Sequence, residues 1–165
     1  HVAKHCAQGA RVLLGKVTTD ISRLTSLPSV HMLGQKPFSS LPGYSKGFDV
    51  AMLPFPISEV TLNANPLKVR EYLAAGLPVV STKIPEVEVL GLARIAETKE
   101  AFVHEIEQAL LDPGPSAERS LAMQGESWTG RLDRIRQHIA THVYGWPETS
   151  REEAHSDATP RKAAG

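Results

Sequence analysis

Lys68 and Glu71 are the residues best suited to chemistry in this chain. They stand three apart inside the run Asn63-Ala-Asn-Pro-Leu-Lys-Val-Arg-Glu-Tyr-Leu-Ala-Ala-Gly-Leu-Pro-Val-Val-Ser-Thr82, and on a helix that spacing makes them neighbours on one face. In isolation such a pair is a surface ion pair worth ~0.2–0.5 kcal/mol. Near the free amides of a helix start, the same cation and carboxylate suit a ligand with both phosphates and hydroxyls. A carboxylate accepts both hydroxyls of a ribose diol, which favours Glu71 as a ribose clamp. Lys68 supplies positive charge for a pyrophosphate or for the polar edge of a sugar.

The punctuation around the pair predicts loop, helix and buried strand in succession. Asn65 is suited to cap the helix, with Pro66 in the first helical position. Gly76 closes it. Pro78–Thr82 is short, apolar and β-branched, as a strand buried on both faces is. Similar short apolar runs at 11–14, 30–33, 48–53 and 92–96 alternate with helical stretches at 2–8, 39–46 and 100–111. Thr18–Leu24 reads as a helical turn capped by Thr19 or Asp20, 57–64 as a polar loop, and 83–91 as a turn with a short helix. The alternation predicts an α/β domain, a parallel sheet with helices on both faces. Ligands of such sheets bind beyond the carboxyl ends of the strands, where four loops fall: Gly15–Asp20, Gly34–Phe38, Pro54–Asn65 and Ser81–Glu86. Gly15-Lys16 directly follows a strand, which lets backbone amides approach a phosphate; an ordinary turn with a solvated lysine is the plainer reading. No G-x-G-x-x-G fingerprint is present, so a dinucleotide-binding Rossmann site is excluded.

These motifs together resemble the donor-binding half of GT-B glycosyltransferases of the group 1 / family 4 type. The nearest pattern is that of bacterial polysaccharide-assembly enzymes, with Asn-Pro-x-Lys-x-x-Glu-Tyr-Leu-Ala-Ala-Gly-x-Pro-Val-Val. Val12-Leu-Leu-Gly-Lys16, Val30-His-Met-Leu-Gly34, Leu41-Pro-Gly-Tyr44 and Phe48-Asp-Val-Ala-Met-Leu-Pro-Phe55 fall in the same order, and the likeness spans about residues 2–110. It implies a Rossmann-like C-terminal half of a GT-B fold that binds a nucleotide-diphosphate sugar for transfer to an acceptor, with retention and with neither metal nor cofactor. The implied donor-binding set is Gly15, Lys16, Gly34, Leu41, Asn63, Asn65, Lys68 and Glu71. Backbone after Gly34 would read the base and Leu41 would cover it, although the segment also suits a routine loop. Many members carry two glutamates separated by seven residues. Glu71 matches the second, and Asn63 stands at the first. An amide hydrogen-bonds sugar hydroxyls but does not stabilise a positive anomeric centre as a carboxylate does. No catalytic residue is assigned. A non-catalytic nucleotide-sugar-binding module and a GT-B-like nucleotide-sugar epimerase remain as alternatives.

The totals fit one such domain. The 165 residues bury one ordinary core, and GT-B enzymes have two, so the chain reads as a fragment without the N-terminal acceptor domain. Eighteen Lys and Arg balance eighteen Asp and Glu, so nothing suggests a nucleic-acid binder. The lone cysteine, Cys6, excludes an internal disulfide and suits a reducing compartment. No apolar run reaches the ~20 residues of a membrane span. The expected setting is cytoplasmic, with peripheral membrane association of the full-length enzyme, at the inner face, left open. The seven histidines are scattered. His138 and His142 are four apart without a glutamate or cysteine partner nearby in sequence, so they are expected to face solvent rather than a metal.

The expected domain covers 1–146. Past Pro113-Gly-Pro115 it contains helices over 117–124 and 127–143, the second with Trp128, Leu132, Ile135 and Ile139 in a stripe. The stretch from Pro147 to Gly165 has no apolar face and is expected to be a disordered tail.

Overall fold

The structure, a computed structural model, describes residues 2–5 and 9–142. The expected tail and the far end of the first helix lie outside the described residues. The chain divides into two units, one up to Glu126 and one from Ser127 onward.

In the first unit, helix α1 (Val2–His5) precedes strand β1 (Arg11–Leu14). Helix α2 (Ser22–Thr25) and strand β2 (Val30–Gly34) follow, and a 3-10 turn (Phe38–Ser40) leads into α3 (Leu41–Ser45). Next come β3 (Ala51–Leu53), α4 (Glu59–Leu62), α5 (Leu67–Ala74), β4 (Val79–Thr82), α6 (Pro85–Leu90), β5 (Arg94–Ala96), α7 (Lys99–Ala109) and α8 (Ala117–Ala122). The architecture is α/β, and every strand pairing among the described residues is parallel. The strands divide into two sheets: β1 pairs with β2, and β3, β4 and β5 form a triple with β4 in the middle.

Burial of β4 on both faces organises the triple. Val79 joins one apolar cluster with Leu53, Val69, Leu73, Leu77, Ile84, Val87 and Met123, drawn from β3, from α5 and the turn after it, from α6 and its capping residue, and from the end of α8. Val80, its neighbour, joins the opposite cluster with Ala96 and with Phe102, Ile106 and Ala109 of α7. Successive strand residues point to opposite faces, so a strand apolar at consecutive positions needs helices on both sides. Ser81 is fully buried between them, and its hydroxyl donates to the Thr82 carbonyl at 2.8 Å.

The end of α5 is tightly determined. Gly76 sits at φ +81°. Its amide donates to the Leu73 carbonyl at 2.8 Å and the Leu77 amide to the Tyr72 carbonyl at 3.0 Å, the paired bonds of a Schellman stop. The Gly76 carbonyl accepts from the Ser116 amide at 2.9 Å and from Arg119 Nε at 2.7 Å. Arg119 also donates to the Gly114 carbonyl and pairs with Asp112, each at 2.5 Å. The Ser120 hydroxyl reaches the Ala74 carbonyl at 2.7 Å. Helix α8 is thereby bolted to the last turn of α5.

Two sequence expectations need correction. Residues 57–64 contain a helix, α4, rather than only a polar loop. Ser58 caps it, accepting from the Thr61 amide at 3.3 Å while the Thr61 hydroxyl takes the Ser58 amide at 2.8 Å. That reciprocal box stabilises a helix too short to show apolar periodicity. Asn65 does not cap α5 and Pro66 is not its first residue. Pro66 occupies the capping position, no side chain caps the helix, and the helix begins at Leu67. The Asn65 side-chain oxygen, Oδ1, accepts instead from Arg70 Nη1.

In the second unit, α9 (Trp128–His142) carries the expected stripe. Ser127 caps it by accepting from the Gly130 amide at 3.1 Å. His138 and His142 stack with ring centroids 4.2 Å apart.

A Cβ on Gly76 would lie 2.4 Å from the Ser116 carbonyl oxygen and 2.8 Å from its nitrogen, whereas one on Gly91, also at positive φ, would meet nothing within 4 Å. Left-handed backbone alone costs a non-glycine residue ~1–2 kcal/mol. Gly91→Ala should therefore lose about that amount in urea unfolding, and Gly76→Ala clearly more; equal losses would show that the Ser116 contact is easily relieved. Arg119→Ala should cost ~1–3 kcal/mol in the same measurement, because the Gly76 and Gly114 carbonyls lose a charged donor.

Candidate functional site

The candidate ligand face lies at the start of α5 and at the carboxyl ends of β1 and β2. Gly15 and Gly34 end those two strands, at φ +141° and +67°, and the Gly15 amide donates to the Gly34 carbonyl at 3.0 Å. The two expected phosphate and base turns are thus adjacent. Lys16 is exposed beyond Gly15. In the same loop, the Ser22 amide, 2.9 Å from Asp20, and the Ser22 hydroxyl hold the Asp20 carboxyl below its ordinary range. Leu41 opens α3 half-buried. Lys36, in the loop leaving β2, lies 5.9 Å from the centre of the Tyr44 ring, a cation–π contact that ties this loop to α3.

Lys68 and Glu71 are both exposed on α5. Among the described residues no ion pair joins them, so the plain surface-pair reading is not realised. Lys68 borders a cavity of about 380 Å³ whose other walls include Leu14 of β1, Pro54 beyond β3, and Tyr72. The Tyr72 phenol is pushed above its ordinary pKa, first by burial and then by the Glu71 charge, so it stays neutral. Among the described residues no side chain caps the first-turn amides of α5, an arrangement that suits an anion.

Asn63 ends α4, and its Nδ2 donates to the Glu59 carbonyl at 2.9 Å. Its amide group thus serves the preceding helix. Asn65 is exposed on the loop between α4 and α5 and is held by Arg70. Gly15 and Gly34 are therefore brought together, Lys68 and Glu71 share a helix, and the two asparagines are engaged in local structure.

Arg70 was not signalled by the sequence. Its guanidinium binds Asn65 and lies 3.7 Å from Glu126 and 4.0 Å from Glu86. It fastens the loop before α5 to α6 and to the segment after α8. No helical spacing rule links Asn65 with Arg70, five positions on. Thr82 was likewise missed; its hydroxyl donates to the Phe55 carbonyl at 2.9 Å and steers the chain leaving β3.

A second cavity, about 270 Å³, lies beyond the ends of β4 and β5 and is bordered by Ile57, Leu62, Thr82 and Pro85. Lys83 and Glu97 on its rim form a 2.5 Å ion pair that raises the lysine pKa and lowers that of the glutamate. Among the described residues no three His, Cys, Asp or Glu side chains gather as a metal site, and no helix is long and apolar enough to cross a membrane.

No curated protein matches the chain. The family described as glycosyl transferases group 1 matches residues 6–112, well over half of the 165 residues. That stretch includes β1 through β5 and every expected donor-binding residue, and on it the chain belongs to the group 1 glycosyl transferases.

Proposed function

We propose that this chain is the donor-binding, C-terminal domain of a GT-B enzyme, holding a nucleotide-diphosphate sugar for transfer to an acceptor in bacterial surface-polysaccharide assembly. The observation that carries the reading is the amino end of α5, with uncapped amides and with Lys68 and Glu71 both exposed and unpaired with each other. A diphosphate would accept hydrogen bonds from those amides and from Lys68. Glu71, one turn further on, would accept both ribose hydroxyls. Gly15 and Lys16 would meet the phosphates from the opposite strand ends, and Gly34 and Leu41 the base. Asn65, held by Arg70, would contact the sugar's polar edge.

Such a site acts by orienting the donor and by stabilising the leaving diphosphate, whose negative charge grows as the glycosidic bond breaks. Fixed amides and a lysine do this without reorganising. The acceptor would be held by a separate N-terminal domain, so this chain alone should bind donor without transferring the sugar. No metal or organic cofactor enters the proposed reaction. The proposed enzyme works in the cytoplasm, at or near the inner face of the membrane where surface glycans are assembled.

A second reading, a binding module without turnover, is favoured by one observation. The position where many members of the family have their first glutamate holds Asn63, whose amide is engaged with Glu59. Product analysis of the chain joined to an acceptor domain separates the two: released nucleoside diphosphate with a glycosylated acceptor supports transfer, and binding alone supports the module. An isomerised sugar nucleotide would instead mean an epimerase.

Glu71→Ala should weaken nucleoside diphosphate binding ~10- to 100-fold in calorimetry, since hydrogen bonds to a charged acceptor contribute ~1.5–3 kcal/mol. Glu71→Gln should lose less. A 2′,3′-dideoxy nucleotide should bind wild type and Glu71→Ala equally well. Full affinity of Glu71→Ala for the ordinary nucleotide would remove the ribose clamp from the proposal.

A further inference from the structure

Asn65 and Pro66 are the residue types that start a helix, yet they do not start α5. In a capped start, the Asn65 oxygen would accept from the Leu67 or Lys68 amide and Pro66 would be the first helical residue. Pro66 has φ −73°, which a helix accepts, but ψ 112°, about 150° from the helical value. A single backbone rotation therefore separates the observed start from a capped one.

Arg70 stands between the two. Its Nη1 donates to Asn65 Oδ1, the atom a cap would use. A guanidinium only donates, so the Asn65 amide is fixed with its oxygen toward Arg70 and its nitrogen away. The donor is also charged, and a charge-assisted bond is stronger than one from a neutral backbone amide. Arg70 has little freedom to leave. Its side chain is 15% exposed, with Glu126 at 3.7 Å and Glu86 at 4.0 Å, and it follows Val69, which is fully buried.

We propose that Arg70 is a positioning residue for the ligand's phosphates. By holding the Asn65 oxygen it prevents Asn65-Pro66 from capping α5, and so keeps the Leu67 and Lys68 amides for the phosphates. The part played by the phosphates rests on the donor-binding reading; the withheld cap stands without it. A capping oxygen and a phosphate oxygen seek the same amides, so a ligand arriving at a capped helix must first displace Asn65. Arg70 acts without touching the ligand.

The test is an NMR titration of the isotope-labelled full chain with inorganic pyrophosphate, read at the Leu67 and Lys68 amides. It compares wild type, Arg70→Gln, Arg70→Met, and Arg70→Met combined with Asn65→Ala. Before pyrophosphate is added, hydrogen exchange at one of these amides should slow about 5-fold in Arg70→Met, as the cap forms. It should return to the wild-type rate in the double variant, because alanine does not cap. Pyrophosphate affinity should fall about 5-fold in Arg70→Met and recover most of that loss in the double variant, although the lost positive charge is not restored. Arg70→Gln keeps a neutral donor and should fall between wild type and Arg70→Met; if Arg70→Met does not fold, Arg70→Gln with and without Asn65→Ala carries the same comparison. A double variant that binds no better than the single one would overturn the proposal, since that is the result of a merely structural or electrostatic role. Wild-type exchange at both amides in the single variants would overturn it too. If pyrophosphate shifts neither amide in any of the proteins, the donor-binding reading fails, while slowed exchange that Asn65→Ala abolishes still upholds the withheld cap.

Discussion

Helix α5 can present its amino end in one place only if its carboxyl end cannot move, and the junction at Gly76 supplies that constraint. The peptide there turns left-handed, its carbonyl accepts from Ser116 and Arg119, and the approach of Ser116 leaves no volume for a side chain. Strand β4 begins three residues later and is buried on both faces. Helix, turn and strand are therefore one rigid piece. Lys68 and Glu71 inherit their position from it, and Arg70 fastens the other end of the same helix through Asn65, Glu86 and Glu126.

Much of this was legible in the residues. The Asn63–Thr82 run carries its own punctuation, and the helix and strand fall within a residue or two of where proline, glycine and the β-branched stretch put them. Parallel α/β organisation followed from the alternation of short apolar runs with helices, and the family from the order of its motifs. What escaped depends on partners distant in sequence or on side-chain geometry. Asn65 has the right chemistry for a cap, but a guanidinium five residues on competes for its oxygen. Helix α4 rests on a Ser58–Thr61 exchange rather than on an apolar face. Division of the strands into two sheets was invisible too, because a strand's own residues do not name its neighbour.

Membership of the group 1 glycosyl transferases and the geometry of the site bear on different questions. The family match covers the strands and the α5 motif as a block and speaks to glycosyl transfer in general. The proposed individual roles rest on local chemistry: open amides and Lys68 for phosphate, Glu71 for a diol, adjacent glycines at two strand ends for close backbone approach. Asn63 is where the two considerations part. Its amide is used within α4, so in the proposed reaction any charge stabilisation of the donor sugar would come from elsewhere.

The two halves of the proposed nucleotide site are not equally well supported. Glu71 and Lys68 rise from a helix locked into the triple. Gly15 and Gly34 belong to a two-stranded ribbon whose strand residues Leu13 and Leu33 are more than a third exposed, and such ribbons are marginal alone. A ligand spanning both halves would brace the weaker against the stronger. Part of its intrinsic affinity would be spent on ordering, and the remainder would appear as resistance to unfolding that grows with the logarithm of ligand concentration. Melting behaviour and the proposed nucleotide affinity would then be two views of a single equilibrium.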